Sequence, residues 1–239
     1  MLTANRRRQD ESRVHWPAAV VFDLDGTLVD SVGDITSSIN DLLTTKRLAP
    51  FDEKVIFKFI GDGMDALVER AFHARGVTLS TLELRSAVEA YEMIYGARLT
   101  ETTKAYAGVI AVIDELKTRG VGIGICTNKV EDQAVGIVEG LGIGTYFDAI
   151  VGARKGRPPK PSPEPLFDTL GCLGIDAADA IMVGDSIADV KCARAAGVAF
   201  VGVSFGYSAI PMRDLAPDAT IDTYDEFEAA CLLLHSQAP

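Results

Sequence analysis

Apolar residues follow two rhythms along this chain, and the change between them marks its architecture. The run Ala18-Ala19-Val20-Val21-Phe22 ends abruptly in Asp23-Leu24-Asp25-Gly26-Thr27. That pattern predicts a buried parallel strand opening at its carboxyl end, where open α/β sheets carry their ligands. From Asp34 to Leu48 the period becomes helical, with Ile35, Ile39, Leu42 and Leu43 on one face. Val55, Ile56, Phe59 and Ile60 repeat it, Gly61-Asp62-Gly63 interrupts it, and Met64, Leu67, Val68, Ala71 and Phe72 resume it. Ser80 and Glu83 have capping-box spacing and open a third helical run through Val88, Tyr91 and Ile94. No strand pattern falls between about Ser31 and Thr103, so this stretch is expected to be an all-helical insertion.

Beyond Val109 short apolar runs alternate with helices. Ile110, Ile113 and Leu116 line a helix ended by Gly120, Val121 to Cys126 reads as a strand, and Val130 to Glu139 as a helix. Ala149 to Val151 is a short strand, and Pro163 suits the first turn of a helix through Leu166, Phe167 and Leu170. Ile181 to Val183 is the next buried strand, followed by a helix over Ala188 to Ala196 and a strand over Ala199 to Val203. Such alternation builds a parallel sheet covered by helices, with right-handed crossovers. The expected division is a disordered tail over 1–16, an α/β core over 17–30 and 104–239, and a helical domain over 31–103.

Composition narrows the function. The chain has 239 residues, enough for one large domain or two smaller ones. Although 48% are hydrophobic, no stretch approaches the roughly 18 consecutive apolar residues of a membrane span. A net charge of −11 disfavours nucleic acid and anionic membranes as partners, since both need a broad basic surface. A small anionic substrate fits if positive charge is concentrated locally. Cys126, Cys172, Cys192 and Cys231 lack Cys-x-x-Cys spacing, as in a reduced, cytoplasmic protein. Arg6-Arg7-Arg8 has no apolar segment behind it, so a cleaved export signal is not expected. His15, His73 and His235 match no metal-ligand spacing, and Tyr91 and Tyr95, one turn apart, are read as packing.

The polar residues at the strand ends are of complementary kinds. Asp23 and Asp25 can divide work, one as nucleophile or metal ligand and the other as proton carrier. Thr127-Asn128-Lys129 offers a hydroxyl and free amide donors at the start of a helix, either an anion site or a plain N-cap. Lys160, before Pro161, brings an ammonium to the same anion or sits in a surface loop. Asp185 stands at another strand tip with Asp189 one turn later, as hard oxygen ligands for Mg²⁺, or else Asp185 caps the next helix.

In this order, Asp23-Leu24-Asp25-Gly26-Thr27, Cys126-Thr127-Asn128, Lys160-Pro161 and Gly184-Asp185 with Asp189 resemble the four motifs of the haloacid dehalogenase superfamily. The resemblance spans roughly Val20 to Tyr207 and implies a Rossmann-like core with the helical insertion as its cap. It implies a Mg²⁺-dependent phosphomonoesterase with Asp23 as nucleophile and Asp25 as general acid and base. Asp23, the carbonyl of Asp25, and Asp185 would hold Mg²⁺, with Asp189 as a further ligand or holding a metal-bound water. Thr127, Asn128 and Lys160 would bind phosphate. Asp23 to Ser31, Ile60-Gly61-Asp62-Gly63, Thr127-Asn128-Lys129 and Gly202 to Tyr207 are most similar to the phosphoglycolate phosphatase branch, which implies 2-phosphoglycolate as substrate and a monomer or homodimer. Gly61, Asp62 and Gly63 would then form a specificity loop, or else a plain interhelical turn. The chain departs from that branch at Tyr106-Ala107-Gly108, where relatives carry Tyr-Pro-Gly, and at the basic segment Arg154-Lys155-Gly156-Arg157. That segment either attracts an anion or is a solvated loop. Other small substrates (a sugar phosphate, pyrophosphate or a nucleotide), a phosphomutase and a phospho-acceptor signalling domain are the competing readings. The last would not need Asp25 or a cap.

Overall fold

Burial of both faces of a central strand sets the architecture. Residues 16–235 are described by this computed structural model. The expected tail lies outside them except for Trp16, which packs on the core beneath the Arg119 guanidinium. His15 and the side chain of His235 also lie outside. In chain order, β1 (Ala19–Phe22) and β2 (Val29–Asp30) lead into α1 (Val32–Thr45), α2 (Glu53–Ile56), α3 (Met64–His73) and α4 (Thr81–Gly96). Then come β3 (Lys104–Ala105), α5 (Val109–Thr118), β4 (Gly122–Val130), α6 (Glu131–Gly140) and β5 (Ala149–Ala153). The chain continues through α7 (Glu164–Leu173), β6 (Ala180–Gly184), α8 (Ile187–Ala196), β7 (Ala199–Val203), β8 (Ala219–Ile221) and α9 (Phe227–His235).

Six of the strands form one parallel sheet in the order β5-β4-β1-β6-β7-β8. Along β1 the side chains alternate between two cores: Val20 and Phe22 enter one, Ala19 and Val21 the other. Strand β6 obeys the same period of two, with Ile181 and Val183 on the first side and Ala180 and Met182 on the second. The chain runs outward from β1 through β4 to β5 on one side and then crosses to β6, β7 and β8 on the other, so the carboxyl end of β1 is a topological switch point, where a crevice opens.

Helices α1 to α4 build a third, separate core from Ile35, Ile39, Leu42, Leu43, Leu67, Phe72, Tyr91 and Tyr95. Ser80 and Glu83 form the capping box read from the sequence. Small differences from the sequence reading follow from the true helical faces. Ile110 is 45% exposed because α5 buries Val109, Ile113 and Leu116 instead, and Phe167 is 47% exposed on α7. The short β8, the helix α9 and the two-residue antiparallel pair β2–β3 carry too little periodicity to be read from sequence. Arg157 is no solvated loop residue: its largely buried guanidinium pairs with Glu131 at 3.0 Å and Asp168 at 2.9 Å. No helix among the described residues is long and apolar enough to cross a membrane.

The entrance and exit of the helical segment are tied together by one carboxylate. Asp34, 1% exposed in the first turn of α1, accepts from the backbone and hydroxyl of Thr102 (2.9 and 2.6 Å) and of Thr103 (2.9 and 2.7 Å). Burial alone would raise its pKa, but these donors outweigh burial and hold it below the usual carboxylate range. A depressed folded pKa stabilises the fold above the unfolded value of about 3.9, and that contribution is lost as pH falls through the folded value. Asp34→Asn is therefore expected to cost about 2 kcal/mol in urea unfolding at pH 7, a gap that closes in acid below the carboxylate range. A gap constant down to acid pH would contradict this account.

Candidate active site

Three strand ends deliver the site. Asp23 follows β1 directly and its amide donates to Val183 O at 2.8 Å, which locks it beside the tip of β6. Asp185 follows β6, 2% exposed, and accepts from the Tyr207 amide and, at 3.4 Å, from the Thr27 hydroxyl. Gly26 lets these loops meet: a Cβ there would lie 2.5 Å from Asp185 Oδ2, and its φ of +82° suits glycine. Ser186 caps α8 and shares a capping box with Asp189, so the helix cap is not Asp185, whose carboxylate stays in the site.

Strand β4 extends further than its sequence suggests. Thr127, Asn128 and Lys129 are extended, pairing with β5 breaks register between Cys126 and Val130, and α6 begins at Glu131 with Val130 as its N-cap. The expected helix N-terminus at Thr127 is thus displaced. The irregular strand end turns its side chains toward the crevice instead, a common use of such breaks. Asn128 grips the Lys160 main chain, donating from Nδ2 to Lys160 O (3.0 Å) and accepting from Lys160 N (2.8 Å). It thereby positions the lysine.

Lys160 is 4% exposed, and its ammonium meets three oxygens: Asp189 Oδ1 at 2.5 Å, Cys126 O at 2.8 Å and Asp23 Oδ1 at 2.8 Å. Burial alone would lower its pKa, yet Asp189 and Asp23 hold it well above the usual lysine range. Carboxylate oxygens of Asp23, Asp185 and Asp189 lie within 4.8 Å of one another, all buried. One ammonium cannot balance three carboxylates. Burial, and then Asp189, push Asp23 up to about 6 against the pull of Lys160; burial, Asp189 and Asp23 push Asp185 well above the usual range. Asp23 Oδ1 also lacks a well-directed hydrogen bond. Hard oxygen donors whose ionised forms one ammonium cannot balance fit a small divalent cation such as Mg²⁺.

Asp25 faces elsewhere. Its two oxygens lie 3.1 and 3.0 Å from Lys129 Nζ, and Oδ1 also accepts from the Ser31 hydroxyl. The Lys129 ammonium also sits 4.4 Å from the Tyr95 ring centroid. Sequence reading did not single out Lys129, Ser31 or Tyr207 as individual site residues. Tyr207 Oη donates to Asp30 at 2.8 Å and accepts from the amides of Ser31 (2.7 Å) and Val32 (3.1 Å), while its own amide holds Asp185. Its only sequence signal was its place in the Gly202 to Tyr207 stretch.

Asp23, Asp25, Thr127, Asn128, Lys129, Asp185 and Tyr207 line a cavity of about 420 Å³ between the sheet and the helical segment. Gly61 and Gly63, at φ +121° and +88°, turn the chain so that the loop lines this cavity. Asn128 Nδ2 lies 3.5 Å from Gly61 O, and Asp62 pairs with Arg70. Tyr91 and Tyr95 stack on each other, centroids 5.7 Å apart and planes 6° apart, and both line the cavity wall.

A family model of haloacid dehalogenase-like hydrolases matches residues 20–203. A phosphoglycolate phosphatase of Caulobacter vibrioides is 33% identical over 222 residues, covering 93% of this chain and 94% of that protein. One from Rhodospirillum rubrum is 39% identical over 212 residues, covering 87% and 88%. The crystal structure of a predicted phosphoglycolate phosphatase from Haemophilus somnus superposes with a TM-score of 0.82 at 30% identity, covering 92% of this chain and 98% of that one.

Removing the buried ammonium strands its carboxylates. Lys160→Met is expected to cost about 3–5 kcal/mol in urea unfolding without metal, with partial recovery in millimolar Mg²⁺. A variant as stable as its parent in chelator would refute the charge balance described.

Proposed function

The chain belongs to the haloacid dehalogenase-like hydrolase family and is a phosphoric monoester hydrolase, and we propose that it hydrolyses 2-phosphoglycolate through an aspartyl phosphate on Asp23. One observation carries the reading: the strand-tip carboxylate Asp23 stands 2.8 Å from the fixed ammonium of Lys160, at the mouth of a cavity that also holds a second, separately tethered acid, Asp25. The two acids have different environments, as the division between nucleophile and proton carrier requires.

Asp23 attacks phosphorus, a P–O bond to Asp23 forms, and the bond to the ester oxygen breaks. Asp25 gives its proton to that departing oxygen. Water then attacks phosphorus, Asp25 takes its proton, and the bond to Asp23 breaks to release inorganic phosphate. Lys160 and the Thr127 hydroxyl face the phosphoryl oxygens, the electrostatic work that dominates phosphoryl transfer. Asn128 keeps Lys160 in place. At rest Lys129 covers both oxygens of Asp25, so an anionic substrate competing for that ammonium frees the acid to carry its proton. Asp23, Asp185 and Asp189, with the main chain of Asp25, would hold Mg²⁺, which when bound offsets the repulsion between carboxylate and phosphate. Asp62 and its flanking glycines border the substrate as a lid that excludes water.

Asp23→Asn is expected to abolish Mg²⁺-dependent release of phosphate from 2-phosphoglycolate. Asp25→Asn should slow it by roughly 10²–10⁴ while Mg²⁺ still raises the melting temperature, a rise that Asp185→Asn should diminish. Retained turnover in Asp23→Asn would defeat the covalent mechanism, and cleavage of another ester with none of 2-phosphoglycolate would defeat the substrate assignment.

A further inference from the structure

Most polar side chains lining the cavity are committed to partners, and the uncommitted remainder has one chemical character. Arg70 is held by Asp62 and by Phe59 O at 2.8 Å, and Lys129 by Asp25. Ser186 is bound to Asp189 and Ser208 to Ile210 O, and Asn128 to Lys160. Four groups remain, of which one is the Tyr91 hydroxyl, on the ring stacked against Tyr95. Lys58, an exposed lining residue just before the Gly61-Asp62-Gly63 loop, has no ion pair or hydrogen bond among the described residues. Tyr95 Oη and Gln133 Nε2, in side chains 1% and 6% exposed, are buried without any hydrogen-bond partner.

A buried polar atom left unpaired costs on the order of 1–3 kcal/mol, and both of these atoms belong to residues that line one cavity, so an occupant that satisfies them is favoured. Their placement is built in. Tyr95 is fixed by the stacked Tyr91 ring on one side and the Lys129 ammonium near its face. Gln133 lies on α6, whose Gly136 and Gly140 admit the chain following α4: a Cβ on Gly136 would come 2.7 Å from Leu99 Cδ1, and one on Gly140 2.9 Å from Thr100 Cγ2. The tyrosine stays protonated, because burial and the nearby Asp25 and Asp34 push its pKa far up. It therefore has a hydrogen to give.

We propose that Lys58, Tyr95 and Gln133 form the subsite that selects the leaving group, accepting an anionic, acceptor-only end such as a carboxylate. An ammonium, an O–H and an amide N–H then meet a group with lone pairs and no proton, while a leaving group without acceptors leaves the two buried donors unpaired. This rests on the phosphatase reading above and assigns its preference for small phosphorylated acids to three residues outside the reacting centre.

The test compares kcat/KM with Mg²⁺ for 2-phosphoglycolate and for phenyl phosphate, whose leaving group carries no charge. Tyr95→Phe, Gln133→Leu and Lys58→Met should each lower the ratio of the two constants roughly tenfold or more, mainly by raising KM for the acid. Gln133→Glu should lower it further by repelling the carboxylate, and Lys58→Arg should keep most of it. Equal losses on both esters in every variant, or a parent enzyme that prefers phenyl phosphate, would overturn the subsite and leave the phosphatase standing. A parent that hydrolyses neither ester would overturn the phosphatase reading and the subsite together.

Discussion

A single buried ammonium shared among too many carboxylates organises this molecule. Lys160 touches Asp23, Asp189 and the Cys126 carbonyl, and Asp185 completes the acidic cluster. Burying three carboxylates against one lysine is unfavourable unless further positive charge arrives. The neighbouring structure holds the arrangement in place. Asn128 grips the lysine main chain, Ser186 shares a capping box with Asp189, and the Tyr207 amide holds Asp185. Removal of any support would let the acids separate, and with them the attraction for a divalent cation and a phosphoryl group.

The same contacts join the reacting centre to the base of the helical segment. Tyr207 reaches from Asp185 to the backbone at Ser31 and Val32, and Ser31 in turn holds Asp25. Asp34 closes the junction by binding Thr102 and Thr103, where the chain returns to the sheet. Asp25, the acid proposed to carry the proton, is thus tied to the base of the helical segment, whereas Asp23, the proposed nucleophile, belongs to the strand end.

Much of this was legible because local pattern and chemistry agree. The run ending at Asp23 reads as a doubly buried strand, and helical periodicity from Ile35 to Phe72 marked the inserted segment. Other features had no local signature. Thr127 to Lys129 look like a helix start, because a hydroxyl and a lysine after an apolar run fit a cap. The stretch stays extended instead, passing an irregular break after Cys126 and pairing with β5 again at Val130. Lys129 reads as an ordinary surface lysine until Asp25 and Tyr95 are seen on either side of it. Arg157 belonged to an apparent basic loop, and its burial between Glu131 and Asp168 depends on residues from two other helices.

By itself, then, the sequence determined the alternation of strands and helices, the inserted helical segment and the types of residue at each strand end. These follow from periodicity and side-chain chemistry, which act over a few residues. Tertiary structure alone decided which acids share the lysine and which acid meets Lys129. It also decided which donors on the cavity wall stay unpaired. Those outcomes depend on distances between groups far apart in the chain, such as Asp23 and Asp185 or Asp25 and Lys129. Hydrogen bonds form only at contact distance and ion pairs weaken as their charges separate, so their pattern appears only once the sheet brings its strand ends together.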